Sequence, residues 1–390
     1  MERVSIIQCE NYEYEKVEHA VFECLDHLTE MKGMIKKGSR VLVKVNLLKK
    51  NLPEDAVTTH PAVAEAIVRY LQKMECSVVV GDSPGGAFTH KRLEDIYRAS
   101  GMVNVAQNTG CELNYDTSEA EVSNPKAEKL KHMNIIKIVE DVDFVVSAAK
   151  LKTHGMMTYT GAVKNLFGVI PGLTKAEYHL KMISIENFAE HLVDICEYVT
   201  PVFSVIDAIE GMEGDGPSAG KKRHVGLIMA SESPYALDVA GAHLIGLKPE
   251  QVPTIQAAVK RGLCSQNVED ITVLGCPFES VKIPPFQLPK SFDQDLFGRK
   301  VPGFLKQILT DALRAKPVFD YNKCISCGEC KRGCPAGIID MSSGKPKPDL
   351  SKCISCFCCH ELCPVQAVDI KRHWLNRKLF DRKEEKHEQD

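Results

Sequence analysis

The chain has 390 residues, 44% of them hydrophobic and 26% charged, and a formal net charge of −3; this composition is typical of a soluble globular protein and excludes disordered, collagen-like and coiled-coil chains. The nearly balanced charge argues against nucleic acid as a partner. Because there is neither an apolar run long enough for a membrane span nor a secretory signal pattern at the N-terminus, we expect a cytoplasmic protein.

Residues 1–290 are predicted to form an α/β domain. Strand-like runs occur at 41–45, 77–82, 143–149, 202–207, 224–230 and 271–275, and helix-like stretches alternate with them. Pro61 fits the first turn of one helix, in which Val63, Ile67 and Leu71 recur at helical spacing, and residues 184–198 predict another. Strands separated by helices indicate a mostly parallel sheet that helices cover on both sides.

A glycine-containing loop follows the second predicted strand. Asp82, Ser83, Gly85 and Gly86 lie at the carboxyl end of that strand, where open α/β sheets bind ligands. Free backbone N–H groups in such a loop can hold a phosphate or another anion, so we predict a cofactor-binding or anion-binding loop. An ordinary strand-to-loop turn is the alternative, since neither common glycine motif for nucleotides is present.

Basic residues alternate after the third predicted strand. Lys150, Lys152 and His154 are spaced by two residues, so they share one face if the chain is extended. Lys164 follows in a stretch that glycines interrupt. We predict an anion site in which Lys150 and Lys152 bind the ligand and His154 and Lys164 are catalytic, with His154 donating a proton. The alternative is a solvated strand edge with a basic face.

For three further patterns, a structural role is a better explanation than a catalytic or ligand-binding role. They are Lys44 and Asn46 on one strand face, Lys175 and His179 at helical spacing, and Asp207, Glu210, Glu213 and Asp215 in a glycine-rich stretch. The lysine–histidine pair is expected at the surface and the carboxylates in a mobile loop. The functional alternative for the carboxylates is a site for a hard cation or a hydroxylated ligand.

The remaining sequence divides into three parts. Residues 291–319 are expected to be a linker containing a helix, residues 320–371 a small α+β domain, and residues 372–390 a charged, disordered tail.

The small domain contains an internal repeat rich in cysteine. Nine of the 16 cysteines lie between Cys324 and Cys363, a density that predicts metal binding in a reducing compartment. Residues 321–341 and 350–370 align at an offset of 29 residues, and each copy reads C-x2-C-x2-C-x3-C-P. This spacing resembles the bacterial-type dicluster ferredoxins, which implies two 4Fe–4S clusters whose fourth ligands are exchanged between the copies. By that resemblance one cluster is held by Cys324, Cys327, Cys330 and Cys363, and the other by Cys353, Cys356, Cys359 and Cys334.

The cysteine pattern leaves alternatives for the metal, for one extra thiol and for the role of the clusters. Zinc is disfavoured, because its sites usually have separated C-x2-C pairs. Cys358 lies outside the repeat pattern and is either a bystander thiol, an alternative ligand or a redox thiol. The clusters transfer electrons in the favoured interpretation and are structural in the other.

Five segments of the α/β region carry a family resemblance. They are KVNLL (44–48), TTHPAV (58–63), VVGDSPGG (79–86), KLKTH with TGAVKNLFG (within 150–168) and DAIEGMEGDGP (207–217). These segments resemble the domain of unknown function 362 family, many of whose members carry the same C-terminal dicluster, which implies an iron–sulfur cluster-binding protein. A fainter similarity to the N-terminal part of nickel-dependent lactate racemases implies no nickel site, because their metal ligands have no match here and fold does not transfer function.

Three functions fit these observations. The favoured one is an iron–sulfur oxidoreductase or electron-transfer protein, whose two clusters relay electrons to or from a small anionic substrate or a redox partner protein held by the α/β domain. The alternatives are a ferredoxin-like carrier that only docks a partner, and a non-redox protein, racemase-like or ligand-binding, with structural clusters.

Overall fold

The computed structural model describes residues 2–182, 184–291 and 315–371. The predicted linker helix falls on residues 292–314 and the predicted tail on 372–390, so both of these predictions lie outside the described residues.

The described secondary structure falls into a long α/β part and a short C-terminal part. The strands of the first part are β1 (Arg3–Gln8), β2 (Arg40–Lys44), β3 (Ser77–Gly81), β4 (Glu112–Leu113), β5 (Glu119–Ser123), β6 (His132–Ile136), β7 (Phe144–His154), β8 (Thr158–Thr160), β9 (Phe203–Glu213), β10 (Lys221–Ser231) and β11 (Thr272–Gly275). Its helices are α1 (Tyr14–Asp26), α2 (Glu30–Met34), α3 (Pro61–Lys73), α4 (His90–Ala99), α5 (Met102–Thr109), α6 (Ala162–Asn165), α7 (Thr174–Lys181), α8 (Ile185–Val199), α9 (Pro234–Leu244) and α10 (Pro253–Lys260). The second part contains β12 (Lys316–Phe319), α11 (Glu329–Arg332), β13 (Ile339–Asp340), β14 (Lys347–Pro348), α12 (Cys358–Glu361) and β15 (Val368–Lys371).

One large sheet organises the α/β part. Its strand order is β11-β1-β10-β9-β7-β2-β3-β4, and β8 pairs with β7 at its end. The five pairings of β11 with β1, β9 with β7, β7 with β2, β2 with β3 and β3 with β4 are parallel. The other three are antiparallel and involve β10 and β8. The predicted mostly parallel α/β sheet is therefore confirmed.

Helices cover both faces of this sheet because its central strands are apolar on both sides. Val41 and Val43 of β2 pack into the same cluster as side chains of α1, α3 and α4. Leu42, which points to the opposite face, packs with side chains of α8. The alternation of side chains along a strand thus places two helical layers around β2.

Two strands extend well beyond their predicted ends, and five strands of the α/β part were not predicted: β1, β4, β5, β6 and β8. The predicted run 143–149 continues to His154 as β7, and 202–207 continues to Glu213 as β9. β1 lies between β10 and β11, and its pairing with distant strands stabilises a segment whose own signal is weak.

The C-terminal part lies against the edge of the sheet at which β2, β3 and β7 end. Lys49 Nζ, just beyond β2, donates to the backbone oxygen of Cys363 at 2.8 Å. Ser218 Oγ donates to the backbone oxygen of Glu361 at 3.1 Å. The ligand-binding edge of the α/β part therefore faces the cysteine-rich repeat.

Candidate functional site

The structure places each predicted cysteine set around its own cavity. Cys324, Cys327, Cys330 and Cys363 all line one cavity, and Cys353, Cys356, Cys359 and Cys334 all line a second. Each set takes three cysteines from one copy of the repeat and the fourth from the other. Eight thiols divided in this way fit two clusters with crossed ligands.

The two cysteine loops have matching backbone conformations. Ser326 and Ser355 both have positive φ, as do Gly328 and Phe357 two residues later. The Ser326 and Ser355 amides donate to the Sγ atoms of Cys324 and Cys353, at 3.4 and 3.5 Å. Amides directed at sulfur stabilise negatively charged thiolates, which is what an iron–sulfur cluster requires.

Helix α12 connects the cysteine cavities to the sheet. Cys359 lines one cysteine cavity and Cys363, two residues after the helix, lines the other. Cys358 and Glu361 of the same helix instead face a cavity that the α/β part shares. A ligand in that cavity would be within one helical turn of both cysteine sets.

Two adjoining cavities lie between α12 and the ends of the strands. We call them the large chamber and the small chamber. Both are lined by Asn46, Leu48, Lys164, Asn165 and Glu361. The large chamber is also lined by Asp82, Ser83, Gly85 and Gly86, and the small one by Lys150, Lys152 and His154. All eight residues predicted for the anion site therefore lie at the same pair of chambers.

Two of the buried lysines have carboxylate partners. Lys44 Nζ lies 2.7 Å from Asp82 Oδ1, and Lys150 Nζ lies 2.9 Å from Asp207 Oδ2. All four side chains are at most 3% exposed. Their charges cancel in pairs, so these lysines contribute little net charge to a ligand.

Three other lysines donate to no carboxylate in the part of the chain that the structure describes. Lys152 Nζ donates to Asn46 Oδ1 at 2.7 Å and to the Val57 backbone oxygen at 2.8 Å. Lys175 Nζ donates to the backbone oxygens of Ser83 and Ile170. Lys164 Nζ lies 4.8 Å from the centre of the Phe167 ring. These three cations give the chambers the charge that an anion would neutralise.

Burial lowers the pKa of all three lysines. Burial is the main reason why the pKa of Lys152 and that of Lys175 are lowered to about 7, and neighbouring lysines contribute to this lowering. The pKa of Lys164 is also lowered by burial, an effect that the Glu361 carboxylate opposes. An amine with a pKa near 7 exchanges a proton readily at neutral pH.

His154 is held as a neutral imidazole. Its Nδ1 accepts hydrogen bonds from the Met156 and Met157 amides, at 3.0 and 3.2 Å, so the ring proton is on Nε2. Nε2 lies 3.5 Å from Glu361 Oε1. Burial and the nearby lysines keep the pKa of His154 well below its usual value. At neutral pH its Nε2–H can donate a hydrogen bond, whereas an imidazolium acid is disfavoured.

The loop after β3 was predicted to hold an anion with free backbone amides. This prediction is wrong for the amides of Ser83 and Gly85. Ser83 N donates to the Gly168 backbone oxygen at 3.0 Å, and Gly85 N donates to that of Leu48 at 2.7 Å. The loop therefore lines the large chamber without offering these two amides to an anion. The lysines supply the positive charge of the chamber.

Several residues that line the chambers were expected to have only a structural role or to lie at the surface. Lys44, Asn46, Lys175 and His179 all line the large chamber, although the last two were expected at the surface. The only sequence signal for that pair was its helical spacing after a proline–glycine turn. Cys358 and Glu361 were missed altogether as chamber residues, because nothing local indicates that α12 faces the sheet.

The acidic stretch after residue 206 is not a cation site. Asp207 pairs with Lys150 and Glu213 with Arg223, at 2.9 Å each. Glu210 is hydrogen-bonded to the ring of His224. All three carboxylates lie in β9, and Asp207 and Glu213 each have a lysine or arginine partner, so the mobile-loop expectation is wrong for them.

We expect a pH signature from Lys152. Since its pKa is lowered to about 7, the unfolded chain binds more protons than the folded one between about pH 7 and 10.5, and stability from this group rises with pH across that window. The stability of the wild type relative to Lys152→Met should therefore increase from pH 7 to pH 9, by up to about 1.4 kcal/mol per pH unit. Anaerobic thermal unfolding of both proteins at several pH values measures this, and a constant difference would contradict it.

Comparisons with known proteins match two separate segments of the chain. The model of a family described as Domain of unknown function (DUF362) matches residues 41–243, and that of a 4Fe-4S dicluster domain matches residues 316–364. A thylakoid-associated protein of Synechocystis sp. is 32% identical over 300 residues, which cover 74% of this chain and 90% of that protein. The C-terminal part is thus a ferredoxin-type iron–sulfur domain.

A solved structure also aligns with the chain. It is the lactate racemase apoprotein from Thermoanaerobacterium thermosaccharolyticum, with a TM-score of 0.39, 12% identity, and coverage of 63% of this chain and 57% of that one. The chain thus spans little more than half the length of that structure. None of the described helices has both the length and the apolar character needed to cross a membrane.

Proposed function

Because the chain belongs to the family described as Domain of unknown function (DUF362) and ends in a 4Fe-4S dicluster domain, we propose that it is an iron–sulfur oxidoreductase. The crossed cysteine sets would hold two 4Fe–4S clusters, which would supply the electron transfer for reaction of an anionic ligand in the two chambers. The observation that carries the proposal is the position of α12. Its Glu361 lines both chambers, while Cys359 and Cys363 line the two cysteine cavities.

The dicluster domain provides the electron-transfer half of the site. When bound, 4Fe–4S clusters supply single-electron transfers at potentials that hydrogen bonds and nearby charge adjust. The Ala367 amide donates to Cys363 Sγ at 3.1 Å, and amides on sulfur stabilise the charged thiolates. Cysteines that must remain reduced thiolates need a reducing compartment, which supports the expected cytoplasmic location.

The lysines provide the binding and proton-transfer half. Lys164 lines both chambers and binds the anionic group of the ligand. A two-electron reduction of that ligand consumes two protons, and Lys152, with a pKa lowered to about 7, can supply one at neutral pH. The Nε2–H of His154 faces Glu361 Oε1, 3.5 Å away, and so helps to orient the carboxylate that lines both chambers. The second proton comes from solvent.

The first test is whether the clusters are redox-active. Protein purified without oxygen and treated with dithionite should give reduced-cluster EPR signals that disappear and return reversibly in a redox titration. Clusters that cannot be reduced reversibly would contradict the proposal and support a structural role.

The second test asks whether the chambers couple to the clusters. Reduced protein is mixed with a panel of small organic acids containing C=O or C=C bonds; a substrate reoxidises the clusters and yields the reduced acid, detected by mass spectrometry. Lys164→Met and His154→Ala should keep their iron and sulfide but slow this reoxidation by about 100-fold or more. Lys181→Met, at a side chain 62% exposed, is the control. Equal rates in all four proteins would exclude the chambers from the reaction.

A further inference from the structure

The large chamber is lined by both apolar and basic side chains. The apolar ones are Leu48, Phe167, Leu173, Ala176 and Leu362. The Phe167 ring is held edge-on against Phe188, with centroids 5.4 Å apart, and is 5% exposed. This apolar lining suits a hydrocarbon group.

Basic residues contribute to the polar lining of the chamber. Lys164, Lys175 and His179 all line it. His179 is 5% exposed, and its Nδ1 has no hydrogen-bond partner among the described residues. A buried ring nitrogen without a partner is costly unless a ligand or water satisfies it, so this atom marks a position where a ligand polar group fits.

The charge balance limits the ligand to a small negative charge. Three lysines line the large chamber, Lys44, Lys164 and Lys175, against the two carboxylates Asp82 and Glu361. The surplus is one positive charge when all five are ionised. A single carboxylate neutralises that surplus, whereas a phosphate dianion or a polyphosphate would leave uncompensated negative charge in a buried site.

The backbone near the chamber also disfavours phosphate. Besides the amides of Ser83 and Gly85, that of Gly172 is occupied, since it donates to Ser83 Oγ at 2.8 Å. Phosphate sites in α/β folds depend on free amides at this type of loop.

We infer that the ligand of the large chamber is a monocarboxylate with an apolar body, such as an aryl or branched-chain acid. This inference rests on the proposed function, in that it takes the chamber to be the substrate site. The carboxylate binds to Lys164 and is attracted by the charge of Lys175, whose three N–H groups already donate to the Ser83 hydroxyl and to the backbone oxygens of Ser83 and Ile170. The apolar body lies against Phe167 and Leu173.

Calorimetric titration of the oxidised holoprotein tests the ligand class. The probes are benzoate and 3-methylbutanoate, compared with benzyl alcohol, inorganic phosphate and AMP. Both acids should bind at least about tenfold more tightly than the alcohol and phosphate, a difference of about 1.4 kcal/mol. Phosphate or AMP binding as tightly as benzoate, or no binding of either acid at millimolar concentration, would overturn the inference.

Variants of residues on and beside α7 test whether the acid binds at this position in the large chamber. Lys175→Met should weaken benzoate binding by about tenfold or more, and Leu173→Ser by about fivefold. The controls are Lys181→Met and Leu180→Ser, at exposed positions that do not line the chamber, and they should bind as the wild type does. Equal affinity in all variants would overturn the assignment to this chamber.

These titrations are independent of electron transfer. Acid binding without reversible cluster reduction would overturn the proposed function and leave the ligand class standing. Reversible reduction without acid binding would overturn only the ligand class.

Discussion

Asp207→Ala should lower the free energy of unfolding by about 3–5 kcal/mol. The Asp207 carboxylate is fully buried and accepts hydrogen bonds from Lys150 Nζ and Tyr12 Oη at 2.9 Å, and from the His60 amide at 3.0 Å. Removing it leaves the Lys150 charge buried without a counter-charge. Anaerobic thermal unfolding at a fixed scan rate should show an apparent Tm lower by roughly 5–15 °C.

Two further variants distinguish loss of the Lys150–Asp207 ion pair from a general effect of mutation. Lys150→Met/Asp207→Leu removes both charges and should recover much of the loss, because buried ion pairs can often be replaced by apolar residues of similar volume. Asp141→Ala breaks the exposed pair with Lys137 and should cost at most about 1 kcal/mol. If Asp207→Ala were as mild as Asp141→Ala, Lys150 would be free to bind ligand, and the distinction between paired and unpaired chamber lysines would fail.

Cys334→Ala should remove the cluster that belongs mainly to the second copy of the repeat. Cys334 lies in the first copy, yet it lines the cavity of Cys353, Cys356 and Cys359. The variant should retain about four of about eight irons, and its reduced EPR spectrum should match that of Cys353→Ala. Iron and sulfide analysis with EPR of anaerobically prepared protein measures both.

Double variants distinguish crossed ligands from an arrangement in which each copy of the repeat binds its own cluster. Cys334→Ala/Cys353→Ala should lose no more iron than either single variant, since both residues serve one cluster. Cys334→Ala/Cys330→Ala should lose both clusters, although the two residues lie in the same copy. Cys358→Ala is the control and should keep both clusters, because Cys358 lines the large chamber and neither cysteine cavity. The reverse pattern would mean that each copy binds its own cluster.

Chamber residues were predictable from sequence to different degrees. Lys150, Lys152 and His154 could be placed on one face because β7 is extended and its side chains alternate. Their partners could not be predicted: Asp207 is 57 residues from Lys150, and Asn46 is 106 residues from Lys152. Which lysine remains without a carboxylate is therefore a property of the folded chain.

The protonation state of His154 could not be predicted from the sequence either. His154 has the residue type of a general acid, yet burial and the surrounding lysines keep its pKa well below the usual value and the ring neutral. The amides of Ser83 and Gly85 are occupied by carbonyl groups of distant segments. Both corrections arise because a local motif reveals neither the burial of its polar groups nor which of them are already hydrogen-bonded.

The sequence alone determined the features that depend on short spacings. The cysteine repeat, the α/β class and the helix beginning at Pro61 follow from residues a few positions apart, whose geometry the backbone fixes locally. The tertiary structure decided that α12 faces the carboxyl ends of the strands, that Lys175 and His179 line a cavity, and which charges remain unneutralised. These depend on contacts between residues tens to hundreds of positions apart, which only packing of the whole chain brings together.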